Sequence, residues 1–240
     1  MARTRADAAQ ELTDRLSLAA PPLGIAFLDH VPEDVPRHDG PMPAPAADGR
    51  TGRVAAGCVF WVQAAERTFA TVPADHGNCS VGSYTHGLLP LEQAAQNDDV
   101  GALLQSGWVD QSAMMQVPAV QRRPAAIVYG PLAEAPYAPD VVFLRVNGKQ
   151  AMLLKDAWPE LRTEGKPQCH IVPIAMETGE AALSVGCMLS RVRTGMNNAE
   201  MTCAVPGDRL DALLDALAAA QPADRAVAQY AAEDQKRFAS

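Results

Sequence analysis

A chain of 240 residues, 48% hydrophobic and 20% charged, is long enough to bury one large core and too apolar to stay disordered. Its net charge of −8, with no basic run longer than Arg122–Arg123, gives no electrostatic footprint for phosphate backbones or anionic lipid, so nucleic acid and membrane are not expected as partners. No apolar run reaches the roughly 18 residues of a spanning helix and the N-terminal stretch carries charges throughout, which predicts a cytoplasmic protein without a signal peptide.

Taken in chain order, the spacing of Leu12, Leu16 and Leu18 predicts an amphipathic helix over 7–19, stopped by Pro21-Pro22. The apolar run 22–28 reads as a buried strand, and residues 29–53, with five prolines and little periodicity, as a long loop. A helix carrying Cys58 is expected over 55–67, then a strand over 68–73 running out to Cys79 at the start of the next helix. Residues 91–116 have helical character and form a spacer. Strands are expected at 125–129 and 141–146, and Asn147-Gly148 opens a helix reaching about Arg162, with an interruption at Pro159. Residues 168–178 read as helical despite Pro173, 181–185 and 201–205 as strands, and 208–220 as an amphipathic helix with Asp208 near its N-terminus.

Two cysteine-bearing stretches can be laid on one another. Cys58 is followed after 20 residues by Cys79 and after seven more by Gly87; Cys169 is followed after 17 by Cys187 and again after seven by Gly195. Each stretch reads strand, helix with the first cysteine, strand, then glycine shortly before the second cysteine. The expectation is one α+β domain over 1–240, made of two similar α/β half-units, roughly 20–95 and 120–220, related by a pseudo-twofold internal repeat and joined by the helical spacer. Packing the halves about such an axis would bring Cys58, Cys79, Cys169 and Cys187 to one shared interface.

PLGIAFL, GCVFWVQAAERTFATVPADHGNCSVG, GPLAEAPYAPDVVFLRVNGKQAMLL and SVGCMLSRVRTGMNNAEMTCAVPGDRLDALL together resemble the prokaryotic domain-of-unknown-function family 169, over about residues 8–220. The passage with Asn147 and Gln150 at a strand-to-helix turn is its most specific part. The resemblance implies cysteines at the positions of Cys58, Cys79 and Cys187 and a cysteine-bearing stretch near Cys169. Where the family often reads Cys-Leu-Gly-Asp-Arg, this chain has Cys187-Met-Leu-Ser-Arg191: the acidic member is missing and the arginine is kept.

Five cysteines, an odd number in a chain expected in the cytoplasm, argue against a disulfide framework. No tight Cys-x2-Cys pair is present, so a metal site would have to be assembled by the fold from Cys58, Cys79, Cys169 and Cys187. Such soft ligands suit an iron–sulfur cluster, zinc or copper(I); two thiols alone could form a redox pair; buried thiols can also be simple hydrophobes, which is the reading for Cys203. His76 and His86 flank Cys79 and His170 follows Cys169, where imidazole could act as base, shuttle or ligand, or lie in solvated loops. Arg191, Arg193, Asn197 and Glu200 could hold an anionic or polar substrate, or form a polar turn. Phe60, Trp61 and Phe69 read as core, and Met114–Met115 as packing. The absence of Gly-rich phosphate, nucleophile-elbow and His-Glu-x-x-His signatures lowers the expectation of nucleotide-dependent enzymes, serine hydrolases and zinc proteases.

The reading that follows is a thiolate-centred enzyme, an iron–sulfur or cysteine-dependent redox or sulfur-chemistry catalyst, acting on a small polar molecule between the halves. Cys79, Cys187, His76 and Arg191 are the candidate catalytic residues, and Cys58, Cys79 and Cys187 the candidate cofactor ligands. The alternative is a non-catalytic binder of metal, haem or a small metabolite.

Overall fold

The computed structural model describes residues 3–39, 57–77, 79–164, 167–194 and 196–238. The expected repeat position Gly195 and the side chain of Arg193 lie outside them. The chain runs α1 (Arg5–Leu16), β1 (Leu23–Leu28), α2 (Gly57–Gln63), β2 (Phe69–Thr71), α3 (Ser80–Thr85), α4 (Leu91–Ala95), α5 (Asp98–Gln105), α6 (Gln111–Met115), β3 (Ala126–Pro131), β4 (Val141–Val146), α7 (Gly148–Ala157), β5 (Arg162–Glu164), α8 (Ile171–Thr178), β6 (Ala182–Ser184), α9 (Met188–Thr194), β7 (Met201–Pro206) and α10 (Leu210–Phe238).

The seven strands form one sheet in the order β2-β3-β1-β4-β7-β6-β5. All neighbours are antiparallel except β5 and β6. The apolar runs that read as strands are buried on both faces because successive side chains enter different layers. Ile25, Tyr129, Phe143 and Ala204 join α2 and α8 in one core. Val142, Leu144, Cys203 and Val205 join α1, α7 and α10 in a second core on the opposite face. The fold is therefore α+β, with helices on both sides of a largely antiparallel sheet. Among the described residues no helix is long and apolar enough to cross a membrane.

Local chemistry accounts for the main boundaries. Thr4 and Asp7 cap α1 reciprocally, at 3.1 and 3.2 Å, and Ser17 ends it in the left-handed region at φ 52°. The Asn147 side chain accepts the Gln150 N–H at 3.0 Å while Gln150 accepts the Asn147 N–H at 2.7 Å. The most specific passage of the family resemblance is thus a capping box at the start of α7. Gln150 also donates to the Ser17 carbonyl at 2.8 Å, tying α7 to the end of α1.

Two expectations are corrected and a third is extended. The helix expected to reach Arg162 stops at Ala157, and 162–164 becomes edge strand β5, its Arg162 N–H taken by the Ala181 carbonyl at 3.1 Å. Pro159 lacks a donor and restricts Trp158 before it, which ends the helix. The C-terminal helix continues through Pro222 to Phe238 rather than stopping near Ala220. Finally, the start of the long loop runs beside β2, where His38 N–H donates to the Ala70 carbonyl at 2.9 Å and Ala70 N–H to the Pro36 carbonyl at 2.8 Å. Its remainder, from residue 40, lies outside the described residues.

Candidate functional site

Four of the five cysteines reach one place by four short structural routes. Cys58 sits in the first turn of α2, Cys79 is the N-cap of α3, Cys169 lies in the tight turn ahead of α8, and Cys187 directly precedes α9. Helix α2 packs against α9, and α3 packs against the 168–170 turn, so each contact joins an early segment to a late one. The four cysteines consequently line one cavity of about 30 Å3, with Gly57, Gly82, Leu103, Trp108, Gln168 and Ser190 among its walls. None of the five cysteines is in a disulfide. Cys203 is in the core on the other face of the sheet, and burial alone pushes its thiol up to about 12.

Environment sets what these thiols can do. Burial raises Cys58, with Cys79 adding to the shift, while the Ser190 hydroxyl pulls it down. Cys169 is held well above the usual thiol range by burial, opposed by a hydrogen bond with the Thr85 hydroxyl. Burial also raises Cys187, but the backbone N–H groups of Ser190, Leu189 and Gln168, then the Arg191 charge, act in the opposite sense. The Cys79 sulfur accepts the Gly82 N–H at 3.4 Å. At neutral pH Cys58, Cys169 and Cys187 therefore rest as thiols, and a bound cation would have to displace their protons.

Arg191 is engaged as a clamp. Its guanidinium donates to the carbonyls of Val185 at 3.2 Å, Cys187 at 3.4 Å, Asn198 at 3.3 Å and Glu200 at 2.6 Å, which consumes the fork expected for a substrate. Gly186, at φ +117°, makes this possible: a Cβ there would lie 2.0 Å from Arg191 Nη1. The Glu200 carboxylate forms a two-point ion pair with Arg145, both bonds 2.7 Å, and Asn197 accepts the Ala199 N–H at 2.8 Å. This stretch holds the Cys187 turn in shape.

His76 and His86 lie behind the cavity, on its sheet side, and are fully buried rather than solvated. Thr71 donates its hydroxyl proton to the Ile127 carbonyl at 3.1 Å, so the His76 Nε2–H donates to Thr71 Oγ1 at 2.9 Å. The Gly82 carbonyl can only accept, so the His86 Nδ1–H donates to it at 2.8 Å. His76 Nδ1 and His86 Nε2 are thus bare lone pairs without a partner among the described residues. Both face Gly57, whose Cβ, if present, would lie 3.8 and 4.0 Å from them. Burial lowers the affinity of both rings for a proton, His86 to about 4. His170 is buried beside Glu164, 3.6 Å away, and is not part of the cavity wall.

Sequence reasoning missed the polar wall. Gln168 donates its amide to Ser190 Oγ at 2.8 Å and to the Met196 sulfur at 3.2 Å. A thioether only accepts, which fixes the NH2 group on that side and leaves Gln168 Oε1 buried without a partner among the described residues. The only signal was adjacency, since Gln168 precedes Cys169 and Ser190 stands in Cys-Met-Leu-Ser-Arg. Trp108, Leu103, Val81 and Pro167 form a wall shared with a second apolar cavity, also about 30 Å3, which extends under α4–α6 to Leu91, Val100 and Val117. Nothing in the spacer sequence marked it as a wall of the site.

Among the described residues no three His, Cys, Asp or Glu side chains are grouped so as to hold a metal ion. The profile of domain-of-unknown-function family 169, described as an uncharacterised ArCR family, matches residues 11–216. No curated protein and no solved structure matches the chain.

Proposed function

For a chain that belongs to domain-of-unknown-function family 169, we propose a thiolate-centred site that handles a small molecule at the seam between two pseudo-twofold-related halves. The observation that carries the reading is the shared cavity of Cys58, Cys79, Cys169 and Cys187, from which Cys203 is excluded. The repeat is supported by the sheet order, in which β2-β3-β1 is answered by β6-β7-β4 on the other side of the centre, with β5 added outside β6 and without a counterpart in the first half. Leaving β5 aside, both halves then run strand, first cysteine, short strand, second cysteine at a helix start, and a strand lying between the other two.

The donor set is four soft sulfurs on an apolar wall, the ligand type that suits an iron–sulfur cluster. Cys58, Cys79, Cys169 and Cys187 would hold such a cluster, or three of them if one iron is left open to substrate. When bound, it supplies electron transfer and a Lewis-acidic iron. The chain's own part is to donate backbone N–H groups to the sulfurs of Cys79 and Cys187, to offer the Ser190 and Thr85 hydroxyls to Cys58 and Cys169, and to exclude water with Leu103 and Trp108. A non-catalytic binder is the second reading. It is favoured by a wall whose polar side chains, Gln168 and Ser190, do not titrate.

Iron and acid-labile sulfide analysis after anaerobic purification tests the cluster. Both should be present in the wild type, depleted in Cys79→Ser and Cys187→Ser with the fold retained, and unchanged in Cys203→Ser, which instead loses about 1 kcal/mol or more of stability from its buried hydroxyl. Full metal content and activity in Cys79→Ser and Cys187→Ser would remove the thiol-centred reading.

A further inference from the structure

We propose that the cavity takes a guest of about four to six non-hydrogen atoms, with a head that donates a hydrogen bond to Gln168 Oε1 and an apolar tail that passes Trp108 into the second cavity. The inference rests on the four-cysteine cavity being the functional site, and not on a cluster being there. It also revises the expected substrate from a polar molecule to an apolar one with a single donor.

Three observations define this class. Gln168 lines the cavity and is 2% exposed, its amide nitrogen is committed to Ser190 and Met196, and its carbonyl oxygen has no partner among the described residues, so the unmet demand of this wall residue is for a donor. A buried acceptor left unpaired costs free energy that a donor on the guest would recover. Ser190, the other polar wall residue, already interacts with Cys58, Gln168 and Met196 and has no comparable unmet demand. Beyond the thiols the remaining wall is glycine, aliphatic and aromatic, and Val81, Leu103, Trp108 and Pro167 line both cavities, so the second lies directly beyond the first and a tail that parts these side chains would reach it. At about 30 Å3 each, against the roughly 10–15 Å3 a water needs by this kind of measure, the two together admit a handful of atoms.

The test uses the full chain and two isomeric probes, 1-butanol, which donates a hydrogen bond, and 1-methoxypropane, which cannot. Each is assayed for slowing of the alkylation of Cys79 and Cys187 by iodoacetamide, read residue by residue by mass spectrometry. The alcohol should protect at about fivefold lower concentration than the ether, as expected for one hydrogen bond. From ethanol to 1-butanol protection should tighten about fourfold per methylene. Gln168→Leu should erase the preference for alcohol over ether while keeping the chain-length trend. Leu103→Trp, which fills the shared wall, should flatten the trend while keeping the preference. Equal protection by the two isomers in the wild type, or protection by neither, overturns the inference. Iron and sulfide are measured on the same sample: a cluster that blocks alkylation of Cys79 and Cys187 fills the cavity and overturns the guest while supporting the thiol-centred site, whereas alkylation without isomer preference overturns the guest alone.

Discussion

The buried imidazoles make a residue-scale prediction about acid stability. His86 is held neutral to about pH 4 by burial, and an unfolded histidine titrates near 6.5. Between those values the unfolded chain binds a proton that the folded chain refuses, so the folded state loses stability as pH falls from about 6.5 to about 4, by roughly 3 kcal/mol from this group, with no further loss below. His76, the titratable neighbour of His86 with ring centroids 6.0 Å apart, is shifted in the same direction, its burial being the main cause. Phe27 and Trp61, the other rings against His86, do not titrate. His86→Asn keeps a donor for the Gly82 carbonyl and removes the proton site. Urea midpoints measured from pH 4 to 7 should therefore fall less steeply for the variant, and parallel curves would show that His86 is protonated in the folded chain.

At the scale of elements, α5 braces the turn that presents Cys79. Asp99, buried at the start of α5, accepts the Ser80 N–H at 2.9 Å, and Asn97 donates to Ser80 Oγ at 2.8 Å. Asp99→Ala leaves that amide unpaired and should cost about 1–3 kcal/mol. Hydrogen exchange at Ser80 to Gly82 should quicken more than exchange in β1 or β4, and uniform quickening would point to a global effect instead. Elements of this kind divide by how local their causes are. The strands 23–28 and 141–146 were legible because a short apolar run reports burial on two faces, and the α7 start because Asn147-Gly148 and Gln150 lie within one turn. Strand β5 was not, since Arg162-Thr163-Glu164 has no apolar pattern and is recruited by β6, about twenty residues later in the chain. The cysteine grouping was legible only as spacing. That Gln168 presents an acceptor depends on Met196 and Ser190, which no local pattern links to it.

On the scale of the whole molecule, stability and site are concentrated in the sheet and its two layers. Helix α10 buries Leu213, Leu214 and Leu217, while Val227, Tyr230 and Phe238 are exposed. A chain ending after Pro222 should accordingly unfold within about 0.5 kcal/mol of the full chain and keep the same cysteine alkylation pattern; a larger loss in denaturant titration would show that the distal helix is held by contacts in solution. The β1–β4 pairing at the middle of the sheet is short, three residue pairs from Leu23–Phe143 to Ile25–Val141, and the cavity lies on the face of the sheet that α2 and α8 cover. On the proposed repeat, Gly57 corresponds to Gln168, each just before the first cysteine of its half, and Gly82 corresponds to Ser190, each three residues after the second. One half therefore offers bare backbone where the other offers an amide and a hydroxyl. Thiols arranged by a twofold axis would accept a guest equally well turned end for end; on the proposed repeat this mismatch would give the chamber a direction, so that an unsymmetrical guest would enter one way round and a prochiral one would show the thiols a single face.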